Sequence, residues 1–401
     1  MPNKIDRRTL VGLAAAGLAA PAIVNAQTLA APVAQTKHGP VRGAADGAVK
    51  IFKGIRYGAD TGGANRFMPP RAPQAWTEVR DALDFGAQSP QVAGGDGGGL
   101  FRSWANRRPI SEDCLFLNVW TPGLRDGKKR PVMVWFHGGG FSTGSGASNA
   151  YDGTRLARKG DVVVVTVNHR LNVFGYSYLA ELGGPEFAHS GNVGNLDMVA
   201  SLQWVRDNIA EFGGDPGNVL IFGESGGGSK CSCLLAMPSA AGMIHRAAIQ
   251  SGSTLRVREP AQAAASAREW AKGLGAADAR ALQQLPMERL VAAIGAAGAG
   301  ANPVVDGRSM PRHPFDPDAP AISRQVPMLI GTNKDEQTLL AGGRNPALFD
   351  LTWDKLPETL GKSYTAAQIA EMRRLHPTAN PAQVYFRMTS EAGFRRSAII
   401  Q

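Results

Sequence analysis

Residues 223–227 read Gly-Glu-Ser-Gly-Gly, and this short sequence restricts the fold more than any other part of the chain. It follows directly on an apolar run, Val219 to Phe222, which predicts a buried strand. The stretch from Gly227 onward opens a predicted helix. So sharp a turn between strand and helix forces Ser225 into a strained backbone conformation, and the flanking glycines remove side chains that would collide. The pattern therefore predicts that the Ser225 hydroxyl lies at the carboxyl edge of a sheet.

Other parts of the chain predict the remaining strands of that sheet. Short, valine-rich apolar runs are typical of strands that are buried on both faces of a mostly parallel sheet. Such runs lie at Val132 to Phe136, Val162 to Val167, Arg246 to Gln250 and Met328 to Ile330. Ahead of them, Val33 to Tyr57 alternates apolar and polar residues, which indicates short antiparallel strands.

Helical patterns separate these strands. Apolar residues recur at helical spacing from Leu196 to Ile209, and Leu351 to Phe394 is predicted to be helical as well. The alanine-rich stretch Pro260 to Gly300 is interpreted as a helical cap over the sheet, with a plain pair of crossover helices as the alternative. The alternation predicts a single α/β domain over residues 27–401, with a helical insertion at about residues 255–300.

The first 26 residues have the character of an export signal. Arg7 and Arg8 precede a short run of small apolar residues, and Val24 to Ala26 offers small residues at a cleavage position. Paired arginines ahead of a weakly hydrophobic run resemble a twin-arginine signal peptide, which predicts an exported, periplasmic or extracellular protein. The run is too short for a stable membrane span. A frayed N-terminal helix that stays on the protein is the alternative.

Ser225 is the candidate nucleophile, because the predicted turn exposes its hydroxyl beside a helix N-terminus that favours negative charge. A second glycine-rich sequence, His137-Gly138-Gly139-Gly140, follows the predicted strand at Val132 to Phe136. Without side chains, its backbone N–H groups can face a developing oxyanion, and the Gly226 amide supplies another donor. A turn of purely conformational use is the alternative for each sequence. Two such loops, each after its own strand, favour nucleophilic catalysis.

Further motifs occur in a fixed order around these two. They are Phe52 to Tyr57, Arg66 to Pro70, Ser111 to Asn118, Val167 to Leu171, Phe212 to Pro216 and Gln250 to Ser253. Together with the serine turn and the glycine loop, they resemble the type-B carboxylesterase/cholinesterase family from about Val41 onward. That resemblance implies the α/β-hydrolase fold and hydrolysis of small-molecule carboxylic esters through an acyl-serine intermediate, without a cofactor.

The resemblance also implies roles for individual residues. In cholinesterase members the second and third glycines of the loop donate to the oxyanion, and these correspond to Gly139 and Gly140. The triad acid is the glutamate of the motif that here reads Gly-Thr-Asn-Lys-Asp-Glu, which assigns the role to Glu336. The chemistry of the residues alone does not distinguish Glu336 from Asp335.

Two residues are candidates for supporting roles. Glu224 adjoins the nucleophile and either tunes the site electrostatically or serves as a local structural carboxylate. Ser251 resembles a family serine that hydrogen-bonds within the catalytic network, and a buried turn serine is the alternative.

A catalytic base is the element that the sequence does not supply. Chain order in this fold is serine, acid, histidine. The only histidine after Glu336 is His376, which lies in a predicted helix and outside the motif in which the family carries its base. The sequence therefore predicts a carboxylesterase that is truncated before its histidine loop and final strand, with almost no turnover. A catalytically inactive, esterase-like binding protein is the alternative, and a lactonase or amidase would use the same triad.

Charge and cysteine content argue against other classes of protein. The net charge of +10 is spread thinly, which predicts a basic solvated surface and no nucleic-acid partner. The seven histidines lack the spacing of a metal-binding helix, so no metal site is predicted. Family members commonly bridge the equivalent of Cys114 to a cysteine near Ser89. No cysteine precedes Cys114 here, so a buried thiol is expected, and Cys231 and Cys233 are too close for an easy mutual bridge.

Overall fold

A computed structural model of the chain describes residues 31–92, 108–295 and 302–401. The predicted export signal at residues 1–26 lies outside this part of the chain, as do the last residues of the predicted helical insertion. Within it, the structure contains two β-sheets and a series of helices that connect their strands.

The strands bear out the sheet that the apolar runs predict. They are β1 (Val33–Thr36), β2 (Gly39–Arg42), β3 (Ala44–Asp46), β4 (Val49–Arg56), β5 (Arg80–Asp81), β6 (Phe116–Thr121), β7 (Arg130–Phe136), β8 (Val163–Val167), β9 (Gly214–Glu224), β10 (Arg246–Gln250) and β11 (Met328–Gly331). Eight of them form the large sheet in the order β11-β10-β9-β7-β8-β6-β4-β3, and β1, β2 and β5 form a small one.

The half of the large sheet from β11 to β8 is parallel throughout, and β6, β4 and β3 join it antiparallel. The prediction of a mostly parallel central sheet is therefore confirmed. Strand β9 begins at Gly214, earlier than the predicted start at Val219. Gly214 pairs with Arg130 of β7 across an irregularity in the register, and this pairing lengthens the strand.

Helices cover the sheet between these strands. They are α1 (Thr154–Gly160), α2 (Asn172–Tyr176), α3 (Ala180–Gly183), α4 (Val193–Asn208), α5 (Gly226–Ala236), α6 (Pro260–Gly273), α7 (Ala279–Gln284), α8 (Met287–Ala292), α9 (Glu336–Leu340), α10 (Leu356–Leu360), α11 (Ala366–Leu375), α12 (Pro381–Ser390) and α13 (Arg396–Ile400). Short 3-10 turns and one π-helical turn, Glu391–Arg395, lie between them.

The main core lies between the parallel strands and the helices α4 and α5. Met198, Leu202 and Val205 of α4 are buried in it at the helical spacing that the sequence shows. Helix α5 packs against β7, β9 and β10. Burial of each large apolar side chain contributes about 1.5–3 kcal/mol, so this core fixes α5 firmly below the edge of the sheet.

Two smaller cores lie away from the main one. The helices α6, α7 and α8 of the predicted insertion pack around a cluster that includes Phe67, Trp270 and Leu290. The helices α10, α11 and α12 pack around Leu356, Ile369 and Val384.

The outer strand of the parallel half, β11, is only partly covered. Among the described residues β11 pairs with β10 alone. Leu329 is 73% exposed and Met328 38% exposed. Strands of a parallel sheet are normally covered on both faces. In the described part of the chain, β11 instead exposes apolar side chains at the edge of the sheet.

A buried ion pair anchors the loop after β8. The Arg170 side chain is 2% exposed and that of Asp197, in α4, is fully buried. The guanidinium donates from Nε to Oδ2 at 2.8 Å and from Nη2 to Oδ1 at 2.6 Å, and the Arg170 backbone N–H donates to Oδ2 at 3.0 Å. Both charges are removed from water, so each needs the attraction of the other to offset the free-energy cost of its burial.

We expect Asp197→Asn to lower the free energy of unfolding by about 3–5 kcal/mol, since Arg170 would keep a buried charge without its partner. Urea denaturation measures the loss. The matched control is Glu371→Gln, because its partner Arg374 is 69% exposed and such pairs contribute less than about 1 kcal/mol. Equal small losses in both variants would contradict the proposed importance of the buried pair.

Candidate active site

The turn at Ser225 has the strained conformation that its position between strand and helix requires. Ser225 lies between β9 and α5 with φ 55° and ψ −122°, in a region that L-residues rarely occupy. Its N–H donates to the carbonyl of Gln250, the last residue of β10, at 2.8 Å. This bond ties the turn to the neighbouring strand, so packing outside the turn maintains the strain.

The glycines around Ser225 are sterically required. A Cβ on Gly223 would lie 2.6 Å from the Phe136 carbonyl oxygen, and one on Gly227 would overlap the same oxygen. A Cβ on Gly252 would overlap the Ser225 carbonyl oxygen. The backbones of β7, the turn and the loop after β10 therefore approach one another more closely than any side chain permits.

The glycine loop lies directly beside this turn. It follows β7, and Gly139 and Gly140 have φ values of 87° and 62°, which favour glycine. A Cβ on Gly226 would overlap the backbone of Gly140, and one on Gly138 would lie 3.7 Å from the Ser225 Cβ. The structure thus brings together Ser225 and the three glycines to which the sequence assigns oxyanion donation: Gly139, Gly140 and Gly226.

Glu336 is held in place by neighbouring residues. It is the first residue of α9, just after β11, and is 8% exposed. Its Oε1 accepts hydrogen bonds from Ser251 Oγ at 2.5 Å and from the Asn333 N–H at 2.7 Å. Asp335 is exposed, so burial and hydrogen bonding favour Glu336 as the carboxylate of the site.

Ser251 follows β10, between the strands that lead to Ser225 and Glu336. Its backbone has φ 52°, and its N–H donates to the Gly331 carbonyl at 2.7 Å. The structure thus places Ser251 in contact with the candidate acid. Asn333, to which the sequence patterns assign no role, also holds Glu336, and its position in the Gly-Thr-Asn-Lys-Asp-Glu sequence is the signal that could have identified it.

Glu224 lies half-buried on the other side of Ser225. A Cβ on Gly138 would lie 3.3 Å from its Oε2, which places the carboxylate beside the glycine loop. Burial, and after it the negative charge of Glu336, raises the pKa of Glu224 above its usual range. The two carboxylates therefore influence each other across the site.

The order of the strands sets the separation of Ser225 and Glu336 across the sheet edge. These residues follow β9 and β11, which are separated by β10 alone. Adjacent strands lie about 4.8 Å apart, so the two strand ends are about 10 Å apart. A histidine side chain that accepts from Ser225 Oγ and donates to Glu336 would span such a gap.

None of the seven histidines, all of which lie in the described ranges, hydrogen-bonds to Ser225 or Glu336 there. His137 and His169 are buried with stacked rings, and burial lowers the pKa of each well below its usual range. His376 ends α11 and contacts the Arg387 guanidinium. His38 lies in the β1–β2 turn. The remaining three contact other groups: His189 contacts Ser309, His245 contacts the Val219 N–H, and His313 contacts Glu259.

The cysteines are free and buried. Burial raises the pKa of the Cys114 thiol far above the usual range. Burial also raises the pKa of Cys233 to about 12, and that of Cys231 still further. Thiols with such pKa values are poor nucleophiles. In the described ranges no group of three His, Cys, Asp or Glu side chains could hold a metal ion.

Comparison with known proteins agrees with this arrangement. The model of the carboxylesterase family matches residues 30–381. The chain belongs to the carboxylesterase family. A structure of a carboxylesterase from Geobacillus stearothermophilus is 37% identical, with a TM-score of 0.79 over 92% of this chain and 76% of that one. The prediction of the α/β-hydrolase fold is therefore confirmed.

Curated members of the family extend beyond the matched region. The para-nitrobenzyl esterase of Bacillus subtilis is 35% identical over 378 residues, which cover 92% of this chain and 74% of that protein. The fumonisin B1 esterase of Sphingopyxis macrogoltabida is 37% identical over 319 residues, which cover 76% of this chain and 56% of that protein. The match thus spans only part of each of these carboxylesterases.

We expect Gly227→Ala to destabilise the protein by about 1–3 kcal/mol, because the new Cβ overlaps the Phe136 carbonyl oxygen and must displace β7 or the turn. Thermal denaturation measures the change. The matched control is Gly273→Ala at the end of α6, where a Cβ meets nothing within 4 Å. That variant should gain about 0.5–1 kcal/mol. A neutral Gly227→Ala variant would contradict the steric argument.

Proposed function

We propose that this chain carries the nucleophile, the oxyanion donors and the acid of a serine carboxylesterase. The substrates of such an enzyme are small-molecule carboxylic esters, which are cleaved through an acyl-serine intermediate without a cofactor. The observation that carries the proposal is the strained turn at Ser225, which lies directly beside the glycine loop.

In the proposed reaction, Ser225 Oγ attacks the ester carbonyl carbon and gives up its proton to a base. The carbonyl oxygen becomes an oxyanion and accepts hydrogen bonds from the N–H groups of Gly139, Gly140 and Gly226. Each donor of this kind contributes about 3 kcal/mol to transition-state stabilisation. The base returns the proton to the departing alcohol, and water then hydrolyses the acyl-serine by the same steps in reverse.

The base in this proposal is the imidazole of a histidine that is not among the described residues. Two observations support this part. Glu336 is buried and held in the segment after β11, a strand that is separated from the strand of Ser225 by β10 alone, with no histidine bonded to it among the described residues. Strand β11 exposes Leu329 at an open edge, where a further strand could pair.

A second candidate function is binding of small molecules without catalysis. With no imidazole bonded to Glu336 in the described residues, an esterase-like protein that binds small molecules without turning them over is the alternative. The glycine loop, the strained serine and the buried carboxylate together favour the enzyme, since a binding site requires none of these features.

Substrate class and location complete the proposal. An ester is favoured over a lactone or amide by the names of relatives, such as para-nitrobenzyl esterase and fumonisin B1 esterase. We propose no nucleic-acid partner, since the net charge of +10 is spread along the sequence. We propose export by a twin-arginine signal, which is supported by Arg7 and Arg8, by the apolar run after them and by the small residues from Val24 to Ala26. No helix in the described ranges has the length and apolar character to cross a membrane.

We expect an activated organophosphonate to label Ser225 covalently, with p-nitrophenol as the leaving group. Mass spectrometry of the peptide that contains Ser225 locates the label. Ser225→Ala should remain unlabelled, whereas the control Ser229→Ala, four residues along the same peptide, should label as the unaltered chain does. Label on any other residue, or label that persists in Ser225→Ala, would overturn the assignment of the nucleophile.

We expect almost no turnover of p-nitrophenyl acetate by the chain alone, since loss of a triad member lowers kcat by several orders of magnitude. Added imidazole should accelerate acylation of Ser225 by accepting its proton. Stopped-flow release of p-nitrophenol measures this, with Ser225→Ala as the control for direct hydrolysis by imidazole. Full turnover without imidazole would contradict the proposal that the described residues lack a base. Identical rates in the chain and in Ser225→Ala would favour the catalytically inactive binding protein.

A further inference from the structure

A fully buried lysine lies beneath the glycine loop. Lys230 is in the second turn of α5, the helix that follows Ser225, and it is 0% exposed. Its Nζ donates to the backbone carbonyl of His137 at 2.7 Å and lies 5.9 Å from the centre of the Phe141 ring. In the described part of the chain no carboxylate pairs with this ammonium group. A methionine of the same length would fill the space without the cost of burying an amine.

Three successive carbonyl oxygens of the glycine loop each have a fixed partner. His137 O accepts from Lys230, Gly138 O accepts from His137 Nδ1 at 2.8 Å, and Gly139 O accepts from the Thr143 N–H at 3.1 Å. A trans peptide directs its C=O and its N–H to opposite sides. Fixing these carbonyls therefore fixes the directions of the Gly138, Gly139 and Gly140 N–H groups, because each is opposed to the carbonyl of its own peptide.

The first of these bonds differs from the other two because it joins the loop to another element. The bonds to Gly138 O and Gly139 O begin and end within residues 137–143. Lys230 instead belongs to α5, whose first residue is Gly226. Gly226 contributes one proposed oxyanion donor, and Gly139 and Gly140 contribute the other two. The Lys230 bond consequently sets the position of one group of donors relative to the other.

We propose that Lys230 is a positioning residue for the oxyanion site, and that its hydrogen bond to His137 holds the glycine loop in register with α5. This inference rests on the proposed function, because it assigns a purpose to the donors named there. Lys230 does not touch the reacting atoms. It acts through the His137–Gly138 peptide at the start of the loop, and its loss lets the loop that carries the Gly139 and Gly140 N–H groups shift relative to Gly226.

The surroundings of Lys230 are electrically almost neutral. Burial lowers the pKa of its amine from 10.5 to about 7, and Cys231 of the same helix opposes this shift only weakly. His137, after β7, and His169, after β8, face it as neutral rings, since burial and then the Lys230 charge keep both pKa values well below their usual range. Asp197 of the neighbouring α4 is paired with Arg170.

The first test measures the loop directly in the unaltered chain and in Lys230→Met. With 15N-labelled glycine, NMR should show the Gly139 and Gly140 amide resonances moving with a midpoint near pH 7, as the lysine loses its proton. In Lys230→Met that transition should be absent, and the loop amides should exchange with solvent at least about tenfold faster. Lys272→Met, at an exposed position in α6, should retain the transition and the slow exchange.

The stability of the fold provides a second measurement with a defined sign. The unfolded chain keeps the lysine proton up to about pH 10.5, whereas the folded chain releases it near pH 7. The unfolded state therefore binds more protons between these values, and the free energy of unfolding must rise with pH in that range. Lys230→Met should lack this rise when urea midpoints are compared with those of Lys272→Met.

Labelling of Ser225 by the organophosphonate separates positioning from mere stability. In Lys230→Met the maximal labelling rate should fall about tenfold or more, with the half-saturating reagent concentration unchanged, because the donors act mainly in the transition state. Lys230→Arg, which keeps a cationic donor, should recover part of the rate. If the organophosphonate labels Ser225 in none of these proteins, the proposed function fails. The pH titration of the loop amides then decides the role of Lys230 by itself. Unchanged loop amides in a folded Lys230→Met would overturn the inference.

Discussion

The parallel pairing of β7, β9, β10 and β11 is the constraint on which the rest of the site depends. Gln250 at the end of β10 pairs with Glu224 on one side and Gly331 on the other, so three strands end at the same level. Ser225 and Ser251 are the next residues of their strands, and Glu336 follows β11 within one short loop. Without this common register, no local turn chemistry could bring the nucleophile, its oxyanion donors and the carboxylate together.

Most of this arrangement could be predicted from the sequence because backbone sterics and apolar periodicity determine it. The valine runs predict the strands, and the glycines around Ser225 mark positions where a Cβ would overlap neighbouring backbone. The choice between Asp335 and Glu336 could not be made from their chemistry. It depends on which carboxylate is buried against Ser251, and that contact joins residues that follow different strands.

Lys230 and the Arg170–Asp197 pair illustrate what the sequence could not reveal. A lysine in a predicted helix is normally exposed, and nothing in the periodicity of α5 marks residue 230 as fully buried. Its burial follows from the close approach of α5 to β7, which the glycines at the turn permit. Likewise, Arg170 and Asp197 lie on separate elements, so their pairing is a property of the packed core.

The electrostatics of the site favour a cation between Ser225 and Glu336. Glu224 and Glu336 are both acidic; burial raises the pKa of Glu224, and the negative charge of Glu336 raises it further. An imidazole placed in that gap would have its protonated form stabilised by both carboxylates. Protonation is the change that a general base undergoes when it accepts the serine proton. The described residues therefore supply an environment that suits a histidine base, in agreement with the chain order of the triad.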